Sequence, residues 1–400
     1  MDTNFSLLSD MNPHAKPAEY VRAEGAAFYR ADGSRDLNLM EMTVILGQQN
    51  RDFQAAMQDA LTKNTSMHGN RDSLEGRLYQ YLDETTGHAF SGCHLTASGS
   101  EAVEDAVLIA RNMTGKREIV SFTNSIHGRT ALSASLSGVP ARTVGLRELA
   151  PGVIRVPYPG SGFYDVRIPA DDAAAWLELV DQAYSGTSAR CGAAVIAEPC
   201  QGADIRIPPA GFLKLLQDWT HEKGMLFIMD EIQTGMGRSG SWYRYQQEDL
   251  QPDILLLGKA LGNGLHIAAV LVKERPPAEL LPALAGGVGN DPLGCAAGCE
   301  VFRQLGNGLL QHVSDTGKYL LSRLKEAGAD SFVRNVRGTG LMAAVEYHDA
   351  EMCGKVFSRL KSEGFLAGHR GSTIFFKPPY VITRSQIDDL ADALLRIHHS

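Results

Sequence analysis

The stretch "GFLKLLQDWTHEKGMLFIMDEIQTGMGRSG", residues 211–240, decides the fold. Phe212, Leu215, Leu216 and Trp219 recur at i, i+3, i+4 and i+7, and Gly224 closes the pattern, so the spacing predicts an amphipathic helix. "MLFIMD" (225–230) then reads as a short buried strand that breaks at Asp230 and Glu231 and loosens into Gly235, Gly237 and Gly240. Upstream, "AAVIAEP" (193–199) is another apolar run, stopped by Pro199, and downstream "DILLLG" (253–258) is a third. Strand, helix and strand in short alternation imply right-handed crossovers and a mainly parallel sheet covered on both faces.

The same alternation continues outward. "SEAVEDAVLIARNM" (100–113) predicts an amphipathic helix opened by Ser and Glu, followed by the strand "EIVSF" (118–122). In "AAFYRADGSRDLNL" (26–39), Ala31-Asp32-Gly33 supplies a turn between two short strand-like runs, which predicts a hairpin. After about residue 292 helical patterns return, "VRGTGLMAAVEY" (336–347) is strand-like, and "SQIDDLADALLRIHH" (385–399) is an amphipathic helix. The fold class is α/β, with a large domain whose mainly parallel central sheet is flanked by helices and a smaller α+β domain made from both chain ends. The economical division is an arm and part of the small domain in 1–46, the large domain in 47–291, and the rest of the small domain in 292–400.

Composition narrows the function classes. With 44% hydrophobic and 21% charged residues over 400 positions, the chain is an ordinary globular protein. A net charge of −8 argues against a nucleic-acid surface, which needs a basic stripe. No apolar run reaches the ~18 residues that suggest a membrane helix. The N-terminus lacks a basic-then-apolar signal pattern, so a cytoplasmic location is expected. The six cysteines form no C-x-x-C pair, and no histidine pair accompanies Cys295 and Cys299 at zinc-site spacing, so no metal is expected. No G-x-x-x-x-G-K-[ST] occurs, which excludes a P-loop enzyme.

In open parallel sheets ligands gather outside the carboxyl ends of the strands. "TASGSEA", "AEPCQG", "MDEIQTGMGRSG" and "LLLGKALGNG" fall on that rim. Ser98, Gly99 and Ser100 immediately precede a helix, where free N–H groups and the positive dipole end suit a phosphate; a plain Ser cap explains them equally. Asp230 follows five apolar residues, and strand alternation puts it on one face with Ile232 while Glu231 points away. A buried carboxylate needs a cation or strong donor, and a structural ion pair or turn cap would also serve. Lys259 lies one residue beyond an apolar strand among Gly258, Gly262 and Gly264, where desolvation would make its amine nucleophilic toward carbonyls. Together the three features call for a phosphate, a protonated ring nitrogen and an aldehyde, and pyridoxal 5′-phosphate (PLP) carries all three.

The ordered set "SGSEAVEDAVLIAR", "HGRT", "EPCQG", "DEIQTGMGRSG", "GKALGNG", "DPLGCAA", "RGTGLM" and "PPYVIT" resembles the class III (ω-type, acetylornithine/ornithine/4-aminobutyrate-like) PLP-dependent aminotransferases of fold type I, over about residues 20–395. The resemblance implies a PLP-dependent transferase fold of type I and a homodimer with its site at the interface. It implies Lys259 as the Schiff-base lysine, Asp230 as partner of the pyridine nitrogen, and Ile232 packing under the ring. Gln233 would bond the ring oxygen, with Glu198 near it, and Gly99 with Ser100 would form the phosphate cup. His127 belongs to "HGRT" and reads equally as structural or catalytic.

Several positions depart from the family pattern. Ile126 stands where the family stacks an aromatic side chain on the ring, a loss of roughly 0.5–1.5 kcal/mol. Gly287 stands where a Thr reaches the partner's phosphate, so weaker cofactor retention or a substitute donor is expected. Ala203 and Phe375 replace the Glu and Arg that gate glutamate, and Ala203 resembles the pyruvate-using branch. Arg129, Arg206 and Arg370 are the candidate carboxylate anchors, each also readable as an ordinary surface or structural arginine. The expected activity is transfer of an amino group from an amino acid or amine donor to a 2-oxo acid. A racemase or epimerase on the same fold is the alternative, and a non-catalytic binding protein is a third, less favoured reading.

Overall fold

The computed structural model describes residues 19–63, 73–160, 168–169, 171–187, 191–284, 289 and 291–399. Near the N-terminus, β1 (Tyr20–Glu24), β2 (Ala27–Arg30) and β3 (Arg35–Asn38) form an antiparallel meander, with Gly33 at φ +84° in the expected turn between β2 and β3. The central sheet comprises β4 (Gly92–Thr96), β5 (Glu118–Phe122), β6 (Val153–Val156), β7 (Gly192–Ala197), β8 (Leu226–Asp230), β9 (Ile254–Leu257) and β10 (Ala268–Val272). Its order is β4-β10-β9-β8-β7-β5-β6, and β10 alone runs against its neighbours. The sheet is thus mainly parallel, as the alternation of elements predicts.

Both faces of this sheet are covered, which is why its central strands β7, β8, β9 and β10 are almost wholly apolar. All six residues of β7 are buried. The helix Gly99–Thr114 lays Ala102, Val103, Ala106 and Val107 against one face, beside Ile196, Ile228 and Leu256. The helix Phe212–Glu222 belongs to the opposite layer, where Phe212 and Leu216 join Phe227, Met229 and Leu255. Each large side chain removed from water in this way contributes about 1.5–3 kcal/mol. Ile228 therefore points to one layer and its neighbours Phe227 and Met229 to the other, the alternation that separates Asp230 from Glu231.

Past residue 292 the chain forms β11 (Val333–Thr339), β12 (Met342–Tyr347), β13 (Phe365–Leu366), β14 (Gly368–Arg370) and β15 (Thr373–Phe376). A second sheet runs β11-β12-β15-β14, while β13 pairs in parallel with β3 and so joins the two chain ends. The strand-like run 336–347 is two antiparallel strands. Gly340, at φ +51°, reverses the chain between them, and a Cβ there would meet the Arg238 carbonyl oxygen at 2.3 Å. Apolar patterning alone does not reveal so tight a reversal.

Arg238 binds these parts together. It is 1% exposed, and its guanidinium donates to the carbonyls of Glu41 (2.7 Å), Pro378 (2.5 Å) and Leu341 (3.3 Å) while stacking 4.6 Å from the Tyr380 ring centre. One side chain from the loop after β8 thus fastens an N-terminal and two C-terminal segments. Arg238→Met removes the donors from three carbonyls and is expected to cost about 2–4 kcal/mol, read as a lower denaturation midpoint in urea.

Candidate active site

The carboxyl ends of β4, β5, β7, β8 and β9 lead directly into Ser98, Ile126–His127, Glu198, Asp230 and Lys259. The parallel direction is what collects these residues, which come from five separate parts of the chain. Ser98 caps the helix that follows β4, its hydroxyl accepting from Glu101 N at 3.3 Å, and Glu101 returns a carboxylate bond to Ala97 N at 2.9 Å. That leaves the first-turn N–H groups of Gly99 and Ser100 without intrahelical acceptors. A Cβ on Gly99 would meet Ile232 at 3.0 Å, so glycine permits the helix start to lie over that side chain.

Asp230 is buried. Its Oδ2 lies 2.7 Å from His127 Nδ1 and its Oδ1 accepts from Ile232 N at 3.1 Å. His127 is buried too, its backbone N–H bonded to Ser137 Oγ, and its Nε2 has no partner among the described residues. The imidazole therefore orients the carboxylate from behind. Glu231 turns the other way, accepting from Arg244 N (2.8 Å), Tyr245 N (2.6 Å) and Thr234 Oγ1 (3.1 Å). Burial pushes its carboxyl up to about 7, against the pull of those donors, and its bonds make it a loop anchor.

Lys259 opens the short 3-10 turn after β9 with φ +43°, a left-handed conformation that a side-chain-bearing residue adopts only under constraint. The residue keeps partial exposure, as a side chain lining a cavity does, and carries no hydrogen bond among the described residues. Burial pushes its amine down to about 8; the carboxylates of Asp230 and Glu198 oppose that shift, and Arg142 and Arg129 reinforce it.

Glu198 is buried, and burial raises its carboxyl. Its Oε1 accepts from Gly202 N (3.0 Å) and Gln233 Nε2 (3.2 Å), and its Oε2 accepts from Ile126 N (2.8 Å). Lys377, which sequence reasoning passed over, enters the same group. Its Nζ donates to Gly202 O (2.5 Å) and Gln233 Oε1 (3.2 Å), and burial with repulsion from Lys259 holds it down at about 7. A lysine directly after the apolar strand "TIFF" is part of the signal that singled out Lys259, but Pro378 and Pro379 follow it in place of flanking glycines, so it reads equally as a solvated strand end.

The three arginines separate. Arg206 is paired with Asp204 at 2.8 Å and also donates to Gly160 O. Arg129 is exposed, its backbone N–H bonded to Ser100 Oγ at 3.1 Å. Arg370 is partly buried, with a buried Nη1 that has no partner among the described residues, beside the charges of Asp204 and Arg206. Ala203 and Phe375 are both buried. Gly287 lies outside the described residues.

A lysine with a lowered pKa, a buried acid and a helix start at one sheet rim define a site built for aldehyde and amine chemistry. The family model for class-III aminotransferases matches residues 9–397, and the chain belongs to that family. It is 35% identical over 302 residues to an acetylornithine aminotransferase of Methanothermobacter thermautotrophicus, covering 74% of this chain and 72% of that one. An ornithine aminotransferase of Halalkalibacterium halodurans is 35% identical over 306 residues, covering 73% and 71%. The PLP-bound form of an amine transaminase from an uncultivated Pseudomonas species superposes with a TM-score of 0.88 at 24% identity, over 99% of this chain and 98% of that one. The fold is that of the fold type I aminotransferases, and the aminotransferase relatives do not favour the racemase or epimerase alternative.

Because the neutral amine is the nucleophile, acetylation of Lys259 by acetic anhydride in the PLP-free protein is expected to rise as pH increases through about 8 rather than near 10.5. Peptide mass spectrometry across pH 6–11 checks this, and a Lys259 profile centred above pH 10 would contradict the desolvated site.

Proposed function

We propose that this chain transfers an amino group from an amino acid or amine donor to a 2-oxo acid, with PLP as cofactor held at Lys259. The observation that carries the reading is the Lys259 amine, with its lowered pKa, on the same strand rim as the buried Asp230–His127 pair. The residues present fit the group. The Gly99–Ser100 N–H donors suit its phosphate, Gly99 leaves Ile232 clear, and the buried His127 Nε2 without a partner marks polar capacity behind Asp230.

PLP, when bound, supplies the electron sink for charge developing at the substrate carbon. Lys259 Nζ takes and returns the proton at that carbon, a role a desolvated amine with a pKa near neutrality can fill. Asp230, oriented by His127, holds a proton at the ring nitrogen. Ser98, Gly99 and Ser100 would hold the phosphate, Ile232 and Ile126 would supply the apolar contacts to the ring, and Gln233 would donate to the ring oxygen beside Glu198. Buried Ala203 and Phe375 offer no cation or acid for a second carboxylate, so the acceptor is a small 2-oxo acid such as pyruvate. Arg370, whose Nη1 has no partner among the described residues, is the favoured anchor for that acceptor's carboxylate; Arg129 is the next, and Arg206 is engaged by Asp204.

We also propose the domain division at 46/47 and 291/292, a homodimer, and a cytoplasmic setting. The exposed Ser98 and Arg129 of the single chain fit a partner closing the site, and six free cysteines fit a reducing compartment.

A panel of amino donors scored with pyruvate and 2-oxoglutarate tests the reading, with pyruvate expected to be the better acceptor. Lys259→Ala is expected to lower turnover by at least about 10²–10⁴-fold through lost proton transfer. With donor alone, one carbonyl product per site followed by arrest marks a transaminase, whereas continued scrambling of the α-carbon marks a racemase.

A further inference from the structure

Lys377 is 3% exposed, and its described partners are two neutral oxygens, Gly202 O and Gln233 Oε1. Its backbone is pinned on both sides: its N–H donates to Leu39 O (2.7 Å) and its carbonyl accepts from Glu41 N (2.8 Å). The ammonium stands 5.3 Å from the Phe375 ring centre. A lysine so placed is part of a built arrangement rather than a surface side chain folded inward.

The hydrogen bonds form a closed circuit. Lys377 donates to Gln233 Oε1, Gln233 Nε2 donates to Glu198 Oε1, Gly202 N donates to the same oxygen, and Gly202 O accepts from Lys377. A Cβ on Gly202 would lie 2.1 Å from Gln233 Oε1, so glycine alone permits the circuit to close. A primary amide has a donor end and an acceptor end that are almost the same shape, and only its neighbours choose between them. A lysine can only donate here, so it selects the oxygen end of Gln233; Glu198, held as an acceptor by Gly202 and Ile126, selects the nitrogen end. Lys259, Glu198, Cys200 and Arg238 are the charged and titratable groups around the ammonium. The choice is enforced by the ammonium form; a neutral amine carries a lone pair that could accept from the amide, and Glu198 then remains to select the nitrogen end.

We propose that Lys377 is a positioning residue for Gln233, fixing its amide so that the donor end Nε2 faces Glu198 and the bound cofactor. The inference rests on the reading that Gln233 touches PLP.

A double-mutant cycle of Lys377→Met and Gln233→Ala tests it, read as the PLP dissociation constant and as the pH midpoint of the bound cofactor's visible band. Lys377→Met alone is expected to weaken PLP retention about tenfold and to move the midpoint. Lys377→Arg, which keeps the donor, recovers most of both. In the Gln233→Ala background the Met substitution is expected to change retention less than twofold. An equal loss in both backgrounds, or no loss in either, overturns the proposal, since a purely structural lysine acts independently of Gln233. A wild-type crystal structure, with or without cofactor, decides the matter where the Met variant does not fold. Lys377 Nζ is expected within hydrogen-bond distance of one end of the Gln233 amide with Glu198 at the other, and an ammonium turned away from Gln233 overturns the proposal. Absence of any visible band from wild-type protein incubated with PLP would instead count against the cofactor reading, leaving the crystallographic result to judge Lys377.

Discussion

Charge buried at the carboxyl rim of the central sheet is the constraint to which the surrounding structure answers. Asp230, Glu198, Glu231, Arg238 and Lys377 all lie inside the protein, and a buried charge is costly unless donors or acceptors replace water. Each has a different replacement. Asp230 meets an imidazole, Glu231 three donors of its own loop and the next turn, Glu198 two backbone N–H groups and an amide, and Arg238 three carbonyls. Lys259 is the exception, an amine with no hydrogen bond among the described residues, in a left-handed backbone position. A desolvated amine held in a left-handed backbone position near the buried carboxylates of Asp230 and Glu198 is where reactivity is expected to reside.

The small C-terminal sheet matters to the site through a few contacts. Lys377 sits one residue beyond β15, and its main chain is stitched to Leu39 and Glu41, so both chain ends hold it in place. Arg238 fastens the same segments from the opposite direction, through Pro378 and Glu41. Movement of the outer segments would therefore be felt at Gln233 and Glu198. Substrate selectivity is expected to be set at this junction, where Ala203 and Phe375 bring apolar surface close to the acidic rim.

Much of the fold was legible because the relevant signals are local. The helices Gly99–Thr114 and Phe212–Glu222 and the strands β5, β7, β8 and β9 fall where periodicity and punctuation put them. The reversal at Gly340 was not legible, since its cause is the nearness of Arg238 O, a residue a hundred positions away. Lys377 was missed for a related reason. A lysine beside two prolines reads as a solvated strand end until its partners, Gly202 and Gln233, are known.

The sequence by itself determined the alternating elements, the parity that sends Asp230 and Glu231 to opposite sides, and the family, because these depend on neighbours along the chain. Only the tertiary structure decided which charges are buried, what compensates each, and that Lys377 enters the Glu198–Gln233 group. Those outcomes depend on desolvation and hydrogen-bond geometry between segments far apart in sequence, which no local pattern specifies.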